Sequence, residues 1–170
     1  MKRLLFLSFM LALLTAPAAA HAVVELGIGW GVTALEEDLD SVDTDAGYSL
    51  EAVIGTGGIR LLLAGLWSDH DNEGDYSSLM AGSLWTLDFL EGVDSRVYVA
   101  VSRHDFDSSD PALNTDGWGL TLGGGVRWHV LPAASFGLDL RISDWEGDNS
   151  LGEDLDSGAG TLQVLFQVGF

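Results

Sequence analysis

The sequence predicts an all-β chain, eight antiparallel strands closed up-and-down into a transmembrane barrel. Three observations carry that prediction. The last nine residues alternate, with Leu162, Val164, Phe166, Val168 and Phe170 on one face. Gln163, Gln167 and Gly169 lie on the other, with Leu165 as its only large apolar residue. A bare hydrophobic strand invites pairing with other chains in water. In a barrel it closes the sheet against the first strand and turns its apolar face to lipid. Apolar residues make up 47% of the 170 although the formal net charge is −19, because acid is segregated from the alternating stretches. Those stretches recur eight times, each about 9–12 residues long, the length a tilted strand needs to cross hydrocarbon.

The first strand is Val23 to Ala34, with Val24, Leu26, Ile28, Trp30 and Val32 outward and Glu25 among the inward glycines. Ala46 to Gly55 follows, setting Tyr48, Leu50, Ala52 and Ile54 against Ser49 and Glu51. Gly58 to Ser68 sets Ile59, Leu61, Leu63 and Trp67 against Arg60, but Leu62, Ala64 and Leu66 weaken the contrast. Tyr76 to Leu87 is the least clear; Leu79, Ala81, Ser83, Trp85 and Leu87 are favoured outward, and the opposite parity stays open. In Ser95 to His104, Val97, Val99 and Val101 face out while Arg96, Tyr98 and Ser102 face in. Gly117 to His129 is the cleanest, from Trp118 to Trp128 outward against Arg127, His129 and glycines. Ser135 to Ser143 puts Phe136, Leu138, Leu140 and Ile142 against Asp139 and Arg141, and Gly160 to Phe170 closes the set.

Ahead of the first strand, Lys2 and Arg3 precede an apolar run from Leu4 to Leu14 and small residues through Ala22. That order is a secretory signal peptide, residues 1–22, cleaved after Ala20 or, as favoured here, Ala22. A run of about 11 residues falls short of the roughly 20 a membrane-spanning helix needs. Residues 23–170 are then one domain. The absence of cysteine excludes a disulfide-stapled module. With only 7 Lys and Arg in the chain, nucleic-acid binding through phosphates is excluded too.

Connections alternate in length. Short ones are expected near Thr56-Gly57, Asp88 to Asp94 and Val130 to Ala134. Long acidic ones are expected at Leu35 to Ala46, Ser68 to Tyr76, His104 to Gly117 and Asp144 to Ala159, holding most of the 26 acidic residues. Short turns on one side and long loops on the other suit the periplasmic and extracellular ends of a membrane barrel. Following the strands up and down, Trp30, Tyr48, Trp67 and Trp118 fall near the long-loop end of the apolar face. Trp85, Phe89, Trp128, Phe136 and Phe170 fall near the short-turn end, giving two aromatic girdles. A soluble lipocalin-like barrel or β-sandwich also has short alternating strands, but its polar face is solvated and rich in Lys, Glu and Asp. Here that face is mostly Gly, Ser and Thr, which suits a crowded lumen.

The signal peptide, the eight strands, the acidic long loops and the ending Phe166-Gln167-Val168-Gly169-Phe170 resemble the small eight-stranded bacterial outer-membrane barrels, the class including OmpX and the OmpA membrane domain. The resemblance spans residues 23–170 and rests on architecture, with no family motif beyond the last strand. It implies residence in the outer membrane of a Gram-negative bacterium, contact with lipid and lipopolysaccharide, and a monomer. It also implies that Phe166, Val168 and Phe170 are read by the barrel assembly machinery.

Glu25, Glu51, Asp139, Arg60, Arg96, Arg127 and Arg141 all face inward on this parity. Buried charges must be paired, so these seven are expected to form a network that either fills the lumen or gates small ions. Catalysis is not expected. His104 lies near Ser102, Asp105 and Ser108, but without the His-x-Ser spacing on a lipid-facing strand of the lipid A deacylases that the chain resembles in size. No cofactor is expected. Asp69-His70-Asp71-Asn72-Glu73-Gly74-Asp75 opens like a calcium loop, yet its twelfth position is Met80 where a Glu is required. Solvated faces and weak Ca²⁺ or Mg²⁺ binding both remain open for the acidic segments. The role expected is structural or surface-interactive, with a narrow ion-conducting pore as the alternative and a lipid-modifying enzyme third.

Overall fold

A computed structural model describes residues 23–37, 44–70, 74–108 and 110–170, without the side chains of Val23, Glu37 and Phe89. The expected signal peptide, the Asp71-Asn72-Glu73 part of the calcium-like run and the side chain of Phe89 lie outside the described residues.

Eight antiparallel strands form one closed barrel in chain order. They are β1 (Val23–Glu37), β2 (Asp45–Gly55), β3 (Ile59–His70), β4 (Gly74–Leu90), β5 (Val93–Asp107), β6 (Thr115–Leu131), β7 (Ala134–Asn149) and β8 (Asp154–Gly169). The closing seam pairs β1 with β8 from Glu25 opposite Gly169 to Glu37 opposite Ser157. Phe170 extends it, its amide donating to the carbonyl of Val24 at 2.8 Å. Closure leaves no unpaired strand edge, the condition for a sheet in hydrocarbon.

Strand parity follows the expected alternation throughout. In β4 the favoured choice holds: Leu79 and Leu87 are each 60% exposed, while Tyr76, Met80 and Leu84 are buried. At one end the turns are tight, at 56–58, 91–92 and 132–133. Gly57 and Gly92 adopt φ of 75° and 76° there, a left-handed conformation that side chains resist. Bulges between Asp88 and Leu90 and between His129 and Leu131 lead into two of these turns.

Strand length corrects the sequence reading. The strands run from 11 to 17 residues and continue through much of the acid. The expected loop from Asp144 to Ala159 contracts to residues 150–153, because β7 reaches Asn149 and β8 begins at Asp154. Of the expected loop at 68–76, residues 68–70 and 74–76 are strand, and of that at 104–117, residues 104–107 and 115–117 are. Along each extended strand the pattern inverts. In β7, Phe136, Leu138, Leu140 and Ile142 point out and are 44% to 60% exposed. Further along, Asp144, Glu146 and Asp148 occupy the same outward face while Trp145 turns inward, 2% exposed. β5 does the same with Asp105-Phe106-Asp107. The lower wall is apolar outside; the upper wall is acidic outside and apolar inside, like a water-soluble barrel set on a membrane one.

Candidate functional site

The lumen is the one interior the fold creates, and eight strands make it just wide enough for side chains to fill. Its floor is a charge cluster at the tight-turn end. The Arg127 guanidinium forks onto Asp94, with Nε and Nη2 each 2.8 Å from a carboxylate oxygen. Its Nη1 donates to Glu25 at 2.7 Å, and Arg60 donates to the other Glu25 oxygen. His129 Nε2 lies 2.9 Å from Asp94.

Above the floor, Arg96 forks onto Glu51 through Nη1 at 2.6 Å and Nη2 at 2.9 Å, while its Nε donates to Asp139 at 2.8 Å. Tyr98 donates its hydroxyl to the second Asp139 oxygen at 2.7 Å. Gln167 ties the two levels together, accepting from Arg127 at 3.1 Å and donating to Glu51. Ser49 donates to Gln163, whose amide reaches Asp139. Charge-assisted, bidentate bonds of this kind are the strong ones. Arg96 is only 1% exposed, so the low-dielectric setting makes each partner obligatory.

Arg141 is the exception. It is 2% exposed, its closest carboxylate contact is Asp139 at 3.6 Å, and Nε, Nη1 and Nη2 make no hydrogen bond among the described residues. Asp139 is already occupied by Arg96, Tyr98 and Gln163.

Apolar residues flank the ionic level on one side, where Val53, Leu62, Ala64, Met80 and Leu84 pack with Tyr98 and Ala100. Gly123 makes room for that tyrosine, since a Cβ there would lie 2.2 Å from the Tyr98 ring. Higher still, Thr121 bonds to both Ser102 and Ser143, and Ser102 to His104 Nε2 at 2.7 Å. The His104 ring accepts or donates at Nδ1 with the Tyr76 hydroxyl at 2.7 Å and stacks on Trp145 with centroids 4.3 Å apart. Leu35, Leu66, Tyr76, Phe106, Trp145 and Ala159 pack together as an apolar cap over the lumen.

All seven charges read from the sequence enter the lumen, six of them in close ion pairs. Asp94 was missed because it falls in the expected turn; carrying the Arg96 and Tyr98 parity two residues back would have found it. The cap was missed because its aromatics stand among acids that read as loop. His104 and Ser102 are both buried in the lumen, whereas Asp105 takes the opposite, exposed face. Among the described residues no group of three or more His, Cys, Asp or Glu is placed to hold a metal ion.

Outside, Trp30, Tyr48 and Trp118 are each about 60% exposed. Tyr48 stacks on Trp67 at 5.5 Å and Trp128 on Phe136 at 5.6 Å. Trp85 is partly covered, and Phe170 is 77% exposed beside Phe166 and Val168 on β8.

An eight-stranded barrel with an apolar outer band and a polar, filled lumen is the architecture of the small outer-membrane barrels, and comparison with solved structures shows that fold. Neisserial surface protein A superposes with a TM-score of 0.64 at 14% identity, covering 88% of this chain and 97% of that one. A major outer membrane protein from Thermus thermophilus gives 0.61 at 13% identity, over 88% and 100% of the two chains. Ail, the attachment invasion locus protein of Yersinia pestis, gives 0.59 at 14% identity, over 88% and 99%. No family model matches the sequence, and no curated protein matches it either.

Proposed function

We propose that the protein is an integral outer-membrane barrel of a Gram-negative bacterium, sealed along its axis, that acts through the acidic wall it raises above the membrane. Its role in this reading is structural or surface-interactive and not catalytic. The observation that carries it is the filled lumen. Two linked layers of ion pairs stand under an apolar cap whose members are 5% exposed or less. The Ser102 and His104 side chains, each 0% exposed, are locked inside that packing, which leaves a substrate no approach. The outward acids of β5, β7 and β8 are the surface offered to partners, and the attachment role in the Yersinia pestis neighbour's name is of the same kind. We take the chain to insert as a monomer, delivered to the assembly machinery by the strand ending in Phe166, Val168 and Phe170. Planar-bilayer recording tests the seal: purified barrel is expected to add no conductance steps to the bilayer baseline, and regular single-channel steps contradict it.

One observation favours a second reading, a narrow ion path. The unpaired donors of buried Arg141 are where an anion would pause. If steps appear and Arg141→Ala alters their size or selectivity, the pore reading replaces the sealed one. If Arg141→Ala or Arg127→Ala leaves them unchanged, gating by the lumen network is excluded.

A further inference from the structure

Among the described residues, Arg141 is the lumen arginine that the fold brings to no hydrogen-bonding carboxylate. It stands on β7 between Gly123 of β6 and Thr161 of β8, its direct cross-strand partners. Gly123 offers no side chain, and Thr161 is engaged with Thr33 at 3.2 Å. On its own strand the same inward face carries Asp139 and Ser143. Asp139 already serves Arg96, Tyr98 and Gln163, and Ser143 is bonded to Thr121 at 2.8 Å. The Arg141 charge acts on Tyr98 in the ionic level and on Tyr76 in the cap, which sets the guanidinium between the two.

We propose that Arg141 holds a small monovalent anion, chloride being the simplest, as a fixed part of the folded lumen. Three donors of one planar fork, Nε, Nη1 and Nη2, stand unpaired on a residue that is 2% exposed. A guanidinium has no acceptor and does not lose its proton, so neither tautomer nor titration relieves the site. Water would satisfy the donors but leave the buried charge; an anion satisfies both. The hydroxyls beside it suit an anion too. Only one proton is spent in the Thr33–Thr161 bond, so the other hydroxyl is free to donate. The lumen charges leave room for one more negative. Four arginines face four carboxylates among the described residues, and His129 on Asp94 adds a further cation when protonated. The anion must be small because eight strands enclose a space that side chains already fill.

The site rests on the filled lumen, and it differs from an ion path in that the anion is enclosed as the barrel closes and is retained. Stability reads it and conductance does not, so failure of the seal and failure of the site are separate results. The test is urea unfolding of the barrel in lipid vesicles, with sodium chloride replaced stepwise by sodium gluconate at constant ionic strength. Gluconate is too large for the lumen. A ligand of the folded state alone raises the folding constant in proportion to its concentration once sites fill, so tenfold more chloride is expected to raise it by up to about tenfold. Arg141→Met should lose that dependence. Arg103→Gln removes the exposed arginine that pairs with Asp116 on the outer wall, and should keep the dependence in full. In crystals of the parent barrel grown with bromide, the anomalous peak should lie within hydrogen-bonding distance of an Arg141 nitrogen. A parent whose stability ignores chloride overturns the assignment, as does a dependence that survives Arg141→Met. An equal loss in Arg103→Gln overturns it by showing a surface effect, and so does bromide found only at other arginines.

Discussion

Arg96→Met is expected to cost the folded barrel about 3–5 kcal/mol, the range for removing one partner of a buried ion pair. Arg96 is the hub of the lumen, forking onto Glu51 and reaching Asp139 from strands on opposite sides. Methionine fills much of the same volume, so the loss reports charge more than packing. Two carboxylates would then be stranded in the lumen, Glu51 with Gln167 and Asp139 with Tyr98 and Gln163 as their remaining donors. Neutral amides and an apolar residue in place of a buried ionic set are often close to neutral. The triple variant Arg96→Met, Glu51→Gln, Asp139→Asn should therefore recover most of the loss. Urea titration of barrels folded in vesicles measures both. A single variant within about 1 kcal/mol of the parent, or a triple no better than the single, would show that the network contributes little.

Leu122→Arg is expected to cost about 2–4 kcal/mol, the penalty for arginine on the lipid face of a barrel near the bilayer midplane. Leu122 is 61% exposed and sits between Trp118 and Trp128 on the outward face of β6. The companion variant is Asp148→Arg, on the same outward face of β7 but above the point where the pattern inverts. There an arginine meets Asp116 and Asp154, the direct cross-strand partners of position 148. It should change stability by less than about 1 kcal/mol or raise it slightly. The contrast between the two arginines locates the membrane boundary along the wall. Similar costs at both positions would mean that the inversion does not mark it.

The membrane-spanning half of the barrel was legible in the sequence because its code is binary and constant. Leu120, Leu122 and Val126 against Thr121, Gly123 and Arg127 can be read only one way once lipid is outside. The fourth strand's own pattern leaves its parity open; in the structure the register sets Leu84 and Gly82 opposite Arg60 and Leu62 of β3 and so fixes it. The upper half was not legible for a physical reason. Above the membrane, water replaces lipid outside, so the outward positions become Asp and Glu and the inward ones become Phe and Trp. Asp105-Phe106-Asp107 and Asp144-Trp145-Glu146 are alternating strand by the same rule with its polarity reversed. Acidic residues weigh toward loops in a residue count, and that weight hid the continuation. The ion pairs were readable as a set of inward charges, but their wiring was not. Which carboxylate Arg96 takes depends on barrel shear, which single-strand patterns do not carry.

The central claim is that the apolar face of these strands meets hydrocarbon and the polar face meets the barrel axis. Because the chain contains no cysteine, one introduced thiol labels a single place. Leu122→Cys carrying a nitroxide, with the barrel folded in lipid vesicles, tests the claim most directly through collision with oxygen and with a water-soluble nickel complex. The orientation described here predicts a label relaxed strongly by oxygen and shielded from nickel. A label open to nickel and poorly reached by oxygen would put the apolar face elsewhere and contradict it.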